Sequence, residues 1–374
     1  MPTMSPTQIL APPYSASANT RSIAKIRIID SGVRMNNIKS SVFLTPPVPN
    51  FEYFPTLPAW VYLIEASDGR KVLFDLGVPK NWREVSTPDL VAMVDSLGLD
   101  IQFEGKGVRE NLEAAGVQLD EIEAVVWSHS HWDHIGDMTM LPGTVDLVVG
   151  PGFQEAYVPG YPTNPEGAVP ESAWRGRKLC EISEQKFETS GLRVGEFPAF
   201  DYFGDGSFYL LYTPGHTREH LCALVRTTRS EGEEDSFIFL GGDICHHSSQ
   251  IRPSRYLHLP DGIGSDPLFL RSACPGSLFQ SLQESRGRSM NEPFFSPAIG
   301  ENIPQAVESI YKAQEADGKD NVLFLFAHDA STLQTADLSP KYANEWKRQG
   351  WRNKMLWAFL EDFKPIVESQ AVTN

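Results

Sequence analysis

Residues 124–137 read AVVWSHSHWDHIGD, and this stretch decides the fold. Its first five residues are apolar or small and β-prone, as in a short buried strand. His129, His131, Asp133 and His134 follow within six residues, in the pattern H-x-H-x-D-H. Imidazole nitrogen and carboxylate oxygen both suit zinc and related divalent ions. Residues two apart on an extended loop point the same way, so His129 and His131 can converge on one ion. Asp133 and His134 come as the chain turns and can reach a second. The chain has nine histidines and three fall here, so hydrogen bonding of isolated structural histidines is a poor account. Three imidazoles and a carboxylate crowded on one loop need a cation to satisfy them.

Three further candidates follow apolar runs, where the loops of a sheet emerge. They are His216 in YTPGHT, Asp243 in FLGGD and His328 in LFAHD. Cys245 reads as a packing thiol close to the site, and His220 in HTREH as a buried hydrogen-bonding residue rather than a further ligand.

Outward from this core, apolar runs predict strands at 24–29, 59–66, 71–75, 145–149, 192–197, 207–213, 221–227, 236–240 and 322–327. Asp68-Gly69 marks a hairpin between the second and third of these. Helical spacing predicts helices at 88–97, 107–115 and 303–316, and over the amphipathic 342–368. Residues 1–20, rich in Pro and Ser, read as a flexible tail. Residues 21–374 read as a single α/β (α+β) domain with insertions. Residues 151–177 read as a surface loop, and 244–300 as a cap or insertion. Aromatic residues of 49–60, with Tyr157, Tyr161 and Trp174, are candidate pocket walls, and Trp132 a candidate for the site floor.

The chain has 374 residues, with 32 Lys+Arg against 48 Asp+Glu, a net charge of −16. That balance disfavours a nucleic-acid or anionic-membrane partner. A small-molecule substrate is expected, with the chain a monomer or homodimer. No stretch is apolar enough to span a membrane. The four scattered cysteines fit a reducing compartment, so a cytoplasmic location is expected.

The motif set FDLG (residues 74–77), SHSHWDHIGD, TPGHT, GGD and AHD resembles that of the metallo-β-lactamase superfamily, over roughly residues 56–330. The resemblance implies a four-layer αββα sandwich of two similar halves, with two divalent ions at one edge of the sheets. Zinc is the first expectation, with manganese or iron(II) as alternatives. By matching motif, His129, His131 and His216 would hold the first metal; Asp133, His134 and His328 would hold the second; Asp243 would bridge them. Asp75 of FDLG would orient a ligand histidine. A bridging hydroxide would then attack a carbonyl carbon, with Asp133 and Asp243 taking part.

Within the superfamily, the hairpin of residues 57–77 looks most like the lactonase branch, which opens lactones and lactams. Those lactonases carry a tyrosine three residues after the bridging aspartate. Here that position is His246, followed by His247. His246 is a candidate donor to the substrate oxygen, or general acid to the leaving group. A metal-dependent acyl thioesterase fits the same ligand set. A mononuclear iron sulfur dioxygenase is a further alternative, but it would not need His134 and His328.

Overall fold

Runs of β-branched and aromatic residues, apolar on both faces, build two strand layers. The computed structural model describes residues 22–229, 235–260 and 276–365, and in it these runs form two six-stranded sheets. The first contains β1 (Lys25–Asp30), β2 (Trp60–Glu65), β3 (Lys71–Phe74), β4 (Ile122–Val126), β5 (Asp146–Val149) and β6 (Leu179–Glu181), neighbours in chain order. Strands β1 to β3 pair antiparallel, and β3 to β6 pair parallel. The second contains β7 (Leu192–Val194), β8 (Phe197–Asp201), β9 (Phe208–Tyr212), β10 (Leu221–Thr228), β11 (Ser236–Leu240) and β12 (Val322–Leu325), also in chain order. It is antiparallel up to β11, and β12 joins β11 in parallel.

The period-two alternation of a strand divides these residues between two cores. Ile26, Ile28, Tyr62, Ile64, Phe74 and Val126 face Leu210, Ala223, Val225, Ile238, Leu240 and Leu323 across the gap between the sheets. Their neighbours Leu63, Leu73, Val125 and Leu147 point outward, onto Val108 and Leu112 of the helix Val108–Ala114. On the far side, Leu224, Phe239 and Phe324 pack on Ile310, Ala313 and Ala316 of the helix Ile303–Asp317. The layers are therefore helix, sheet, sheet, helix, the αββα sandwich expected from the sequence.

Several local expectations change. The run 192–197 is split into two strands by a tight turn, where Gly195 takes φ 55° and Val194 pairs with Phe197. Residues 151–177 are not a free surface loop. Phe153, Val169 and Ala173 are buried, and Tyr157 and Trp174 pack on Phe153. The C-terminal 342–368 is not one helix. It holds Trp351–Met355 and the 3₁₀ turn Ala358–Phe363, while residues 366–368 lie outside the described residues.

The reading of 244–300 as a cap fails for its first part. Residues 248–252 and 254 are buried, tied down by the Arg252 guanidinium. Arg252 donates to both carboxylate oxygens of Asp317 at 2.8 and 2.7 Å, and to the Leu356 carbonyl at 2.7 Å. Residues 261–275 of the expected cap, and the expected N-terminal tail at 1–20, lie outside the described residues. Of the aromatic segment 49–60, Phe51 and Phe54 are core, packed with Phe294, Phe295, Phe359 and Phe363.

Candidate metal centre

Every candidate ligand sits just past the end of a strand. β4 ends at Val126, and its extended continuation carries His129 and His131. The chain then turns into one helical turn, Trp132–Ile135, which swings Asp133 and His134 to the other side. Gly136 ends that turn at φ 55°, and a β-carbon there would fall 2.3 Å from the Leu76 side chain. His216 follows β9, Asp243 follows β11 and His328 follows β12.

These loops meet in two groups, His129–His131–His216–Asp243 and Asp133–His134–His328. In the first, the His216 Nε2 lies 3.2 Å from His129 Nε2 and 2.9 Å from His131 Nδ1. Nitrogens bound ~2.0–2.1 Å from a shared tetrahedral ion sit roughly 3.3 Å from each other, so the spacing suits one. Asp243 stands between the groups. Its Oδ2 is 3.5 Å from His216 Nε2 and 3.8 Å from His129 Nε2. Its Oδ1 is 3.1 Å from His134 Nε2 and 3.2 Å from His328 Nε2. The Asp133 Oδ2 lies 3.4 Å from the same His328 nitrogen.

The far nitrogens of these rings fix which atom carries the lone pair. The His134 Nδ1 lies 2.9 Å from Asp75 Oδ2, and the His328 Nδ1 lies 2.8 Å from the Pro58 carbonyl. Both nitrogens face acceptors and must be donors, so each Nε2 presents a lone pair to the centre. Asp75 does more than orient His134. Its Oδ1 accepts the Ser128 N–H at 2.6 Å, and its Oδ2 accepts the Ser128 hydroxyl at 2.9 Å. That hydroxyl in turn lies 3.0 Å from His129 Nδ1. One carboxylate thus aligns two histidines, one of them through Ser128. Ser128 escaped the sequence reading because a serine beside a ligand carries no pattern of its own.

His220 is fully buried and turned away from both groups. Its Nδ1 faces the Thr213 carbonyl at 3.1 Å, and its Nε2 accepts the Asp243 N–H at 3.0 Å. Burial pushes its pKa down to about 3, so it stays neutral and braces the Asp243 main chain. Gly242 makes this approach possible. It takes φ 51°, and a β-carbon there would lie 2.9 Å from both His220 and Ser128.

His246 lies beside the cluster, 3% exposed, with its Nε2 3.2 Å from Asp243 Oδ2. Its ring lies 4.4 Å from the Phe43 ring, and neither ring nitrogen has a hydrogen-bond partner. It is no solvated loop residue. His247 points elsewhere, to Asp362 Oδ2 at 3.1 Å. Trp132 packs on Trp82 at 5.2 Å rather than under the ligands, and Cys245 is buried in the outer core of the second sheet.

The electrostatics ask for a cation. Burial drives the His129 pKa well below the ordinary imidazole value, and the neighbouring His134, His131 and His216 push the same way. His134 and His328 are equally buried, yet nearby carboxylates outweigh the burial and pull both upward. Asp243 is also buried, but the surrounding imidazoles hold its carboxyl well below the usual range. His134 Nε2 and Asp243 Oδ1 are buried with no hydrogen-bond partner. Such orphaned acceptors, facing each other at 3.1 Å, are what a pair of divalent ions would satisfy. The residues present therefore fit the expected group.

Known proteins resemble this chain in sequence and fold. Residues 55–226 match the metallo-beta-lactamase superfamily. The gamma-lactamase FDB1 of Fusarium pseudograminearum is 39% identical, over 98% of this chain and 89% of that protein. The metallo-hydrolase mfmC of Annulohypoxylon moriforme is 38% identical, over 97% and 93%. The crystal structure of a quorum-quenching N-acyl homoserine lactone lactonase shares the fold. It has a TM-score of 0.54 and 17% identity, and the match covers 86% of this chain and 99% of that one. The chain belongs to the metallo-beta-lactamase superfamily, and it is a metal-dependent hydrolase. No helix among the described residues is long and apolar enough to cross a membrane.

If the cluster holds a divalent ion, truncating Asp75 to alanine is expected to weaken its binding about 10–100-fold, because it frees two candidate ligand rings at once. Competition against a chromophoric chelator measures this. Wild-type affinity in the variant would show that the Asp75–Ser128 relay does not hold the ligands.

Proposed function

We propose that the protein opens a small cyclic amide or ester on a two-metal centre. The observation that carries this reading is Asp243, with one oxygen turned to each of two groups of ring nitrogens. On this reading His129, His131 and His216 hold one ion, Asp133, His134 and His328 hold the other, and Asp243 bridges them. Zinc is the metal proposed. The similarity to a gamma-lactamase over nearly the whole chain supports a cyclic amide as the first substrate class to test.

When bound, a metal pair supplies a water activated near neutral pH and polarises the scissile carbonyl. The chain's own residues set the rest. Asp75, Ser128 and the Pro58 carbonyl lock the rings in one tautomer, so that no ligand has to reorganise during the reaction. The buried, polar-lined centre raises the strength of each charge interaction. His246 has two buried ring nitrogens without partners and is positioned to donate to the carbonyl oxygen or to the departing atom. A departing amide nitrogen needs that proton more than an ester oxygen does. His246→Phe is therefore expected to lower kcat/KM on a lactam about a hundredfold, and on the matching lactone by less, with metal content unchanged. Equal kinetics in variant and wild type would remove His246 from the reaction.

A complete second ligand group favours this reading over a mononuclear iron oxidoreductase. The proposal extends to a reducing, cytoplasmic location, supported by the unbridged thiols of Cys180, Cys222 and Cys245.

The test is acid release by the zinc-loaded protein from a panel of γ- and δ-lactones, acyl-homoserine lactones, a lactam, a cyclic carbamate and an acyl thioester. Chelator-treated protein serves as the control. Metal-dependent opening of a ring is expected. Turnover of the thioester alone would contradict the ring-opening assignment and make the protein a thioesterase.

A further inference from the structure

Glu219 has no part in the chemistry described so far, yet its side chain is buried between the two halves of the sandwich at 1% exposure. Its Oε1 accepts the Ser130 N–H at 3.1 Å, and Ser130 is the residue between His129 and His131. Its Oε2 is buried without a hydrogen-bond partner. A carboxylate in that state costs stability unless it does something for the fold or the site.

The ligands of the first group come from different sheets. His129 and His131 leave the first sheet, and His216 leaves the second. Their nitrogens must nevertheless stay within about 3 Å of one another to share an ion. Two hydrogen bonds join these loops directly beside the ligands. The Leu221 N–H donates to the Ser128 carbonyl at 2.7 Å, and the Ser130 N–H donates to Glu219. The main chain at Glu219 also packs on a third loop, where a β-carbon on Gly150, just after β5, would fall 1.8 Å from its carbonyl oxygen. Of the two bonds, only the second depends on a side chain.

We propose that Glu219 is a positioning residue of the metal centre. Its carboxylate reaches across from the His216 turn and fixes the His129–Ser130–His131 loop, setting the spacing of the three imidazoles that share the first ion. The inference rests on the reading of these side chains as a metal centre.

Two substitutions separate reach from charge. Glu219→Asp keeps the charge but is one methylene too short to reach Ser130. Glu219→Gln keeps the length and a carbonyl acceptor but loses the charge. Zinc alone, titrated against a chromophoric chelator, is the probe, and melting of the metal-free proteins reports folding. The Asp variant is expected to bind the first-group zinc about tenfold more weakly or worse, as for other groups that hold ligands in place. The Gln variant is expected to stay within about threefold of wild type. Wild-type affinity in the Asp variant, or equal loss in both, would overturn the proposal, the second outcome assigning the effect to charge or packing. If wild type itself binds no zinc, the metal-centre reading fails instead. Should the Asp variant not fold, amide exchange at Ser130 in metal-free wild type decides: slow exchange is expected, and exchange at the rate of an open loop contradicts the bond.

Discussion

Replacing Asp243 with alanine is expected to lower kcat/KM about a thousandfold or more, and to reduce bound metal in both groups. Each of its oxygens faces a different set of nitrogens, so on the two-metal proposal its loss would remove the shared ligand and the negative charge that offsets two cations. A ligand worth several kcal/mol of transition-state stabilisation corresponds to that factor, since about 1.4 kcal/mol is tenfold. The bond to His220 Nε2 is donated by the main-chain N–H of residue 243 and survives the change, so the fold should persist. Single-turnover hydrolysis with parallel metal analysis is the check. A variant that keeps its metal and more than about a tenth of its activity would show that Asp243 does not bridge.

The largest effect on stability is expected at Asp317. Its carboxylate is the bidentate partner of Arg252, and both side chains are buried, 1% and 5% exposed. Asp317→Ala would leave a guanidinium in the interior without its bidentate partner, bonded to the Leu356 carbonyl and the Ser248 hydroxyl, with the Asp329 carboxylate nearby. Breaking a buried pair from one side costs about 3–5 kcal/mol. Urea unfolding of the variant should show that loss, and activity should fall with it, because Arg252 anchors the segment that follows Asp243 and His246. Replacing both partners by apolar residues of similar size should recover much of the loss. A change below about 1 kcal/mol in the single variant would mean that water reaches the pair.

These two residues mark how much of the molecule could be read from its sequence. Most strands were legible as apolar runs between turn signals, although the short Leu179–Glu181 was not, and the sandwich itself was implied by the resemblance that the motifs carry. The positions of His129 to His134 were legible because the pattern is local, and those of His216, Asp243 and His328 because each follows a strand. What holds them was not legible. Ser128, Glu219, Arg252 and Asp317 act through contacts between segments far apart in the chain, and serine, glutamate and arginine are common on surfaces. The segment after Asp243 looked like a cap because 244–300 is long, rich in Pro, Ser, Arg and Phe, and has little periodicity. Its first part is buried because the polar groups there are satisfied: the Gln250 Oε1 accepts the His246 N–H, and its amide donates to the Phe43 carbonyl. At the C-terminus, Trp346 and Trp351 enter the core between the sheets while Phe359 and Phe363 join the aromatic cluster beside Phe51. One apolar periodicity therefore serves two surfaces, and Gly350 at φ 69° turns the chain between the two tryptophans.

The most direct test of the central claim is zinc stoichiometry. Metal-free protein is titrated with zinc, and bound metal and ring-opening activity are followed together. About two ions per chain are expected, with full activity reached only as the second binds. Full hydrolysis with one ion, or with none, would contradict that claim.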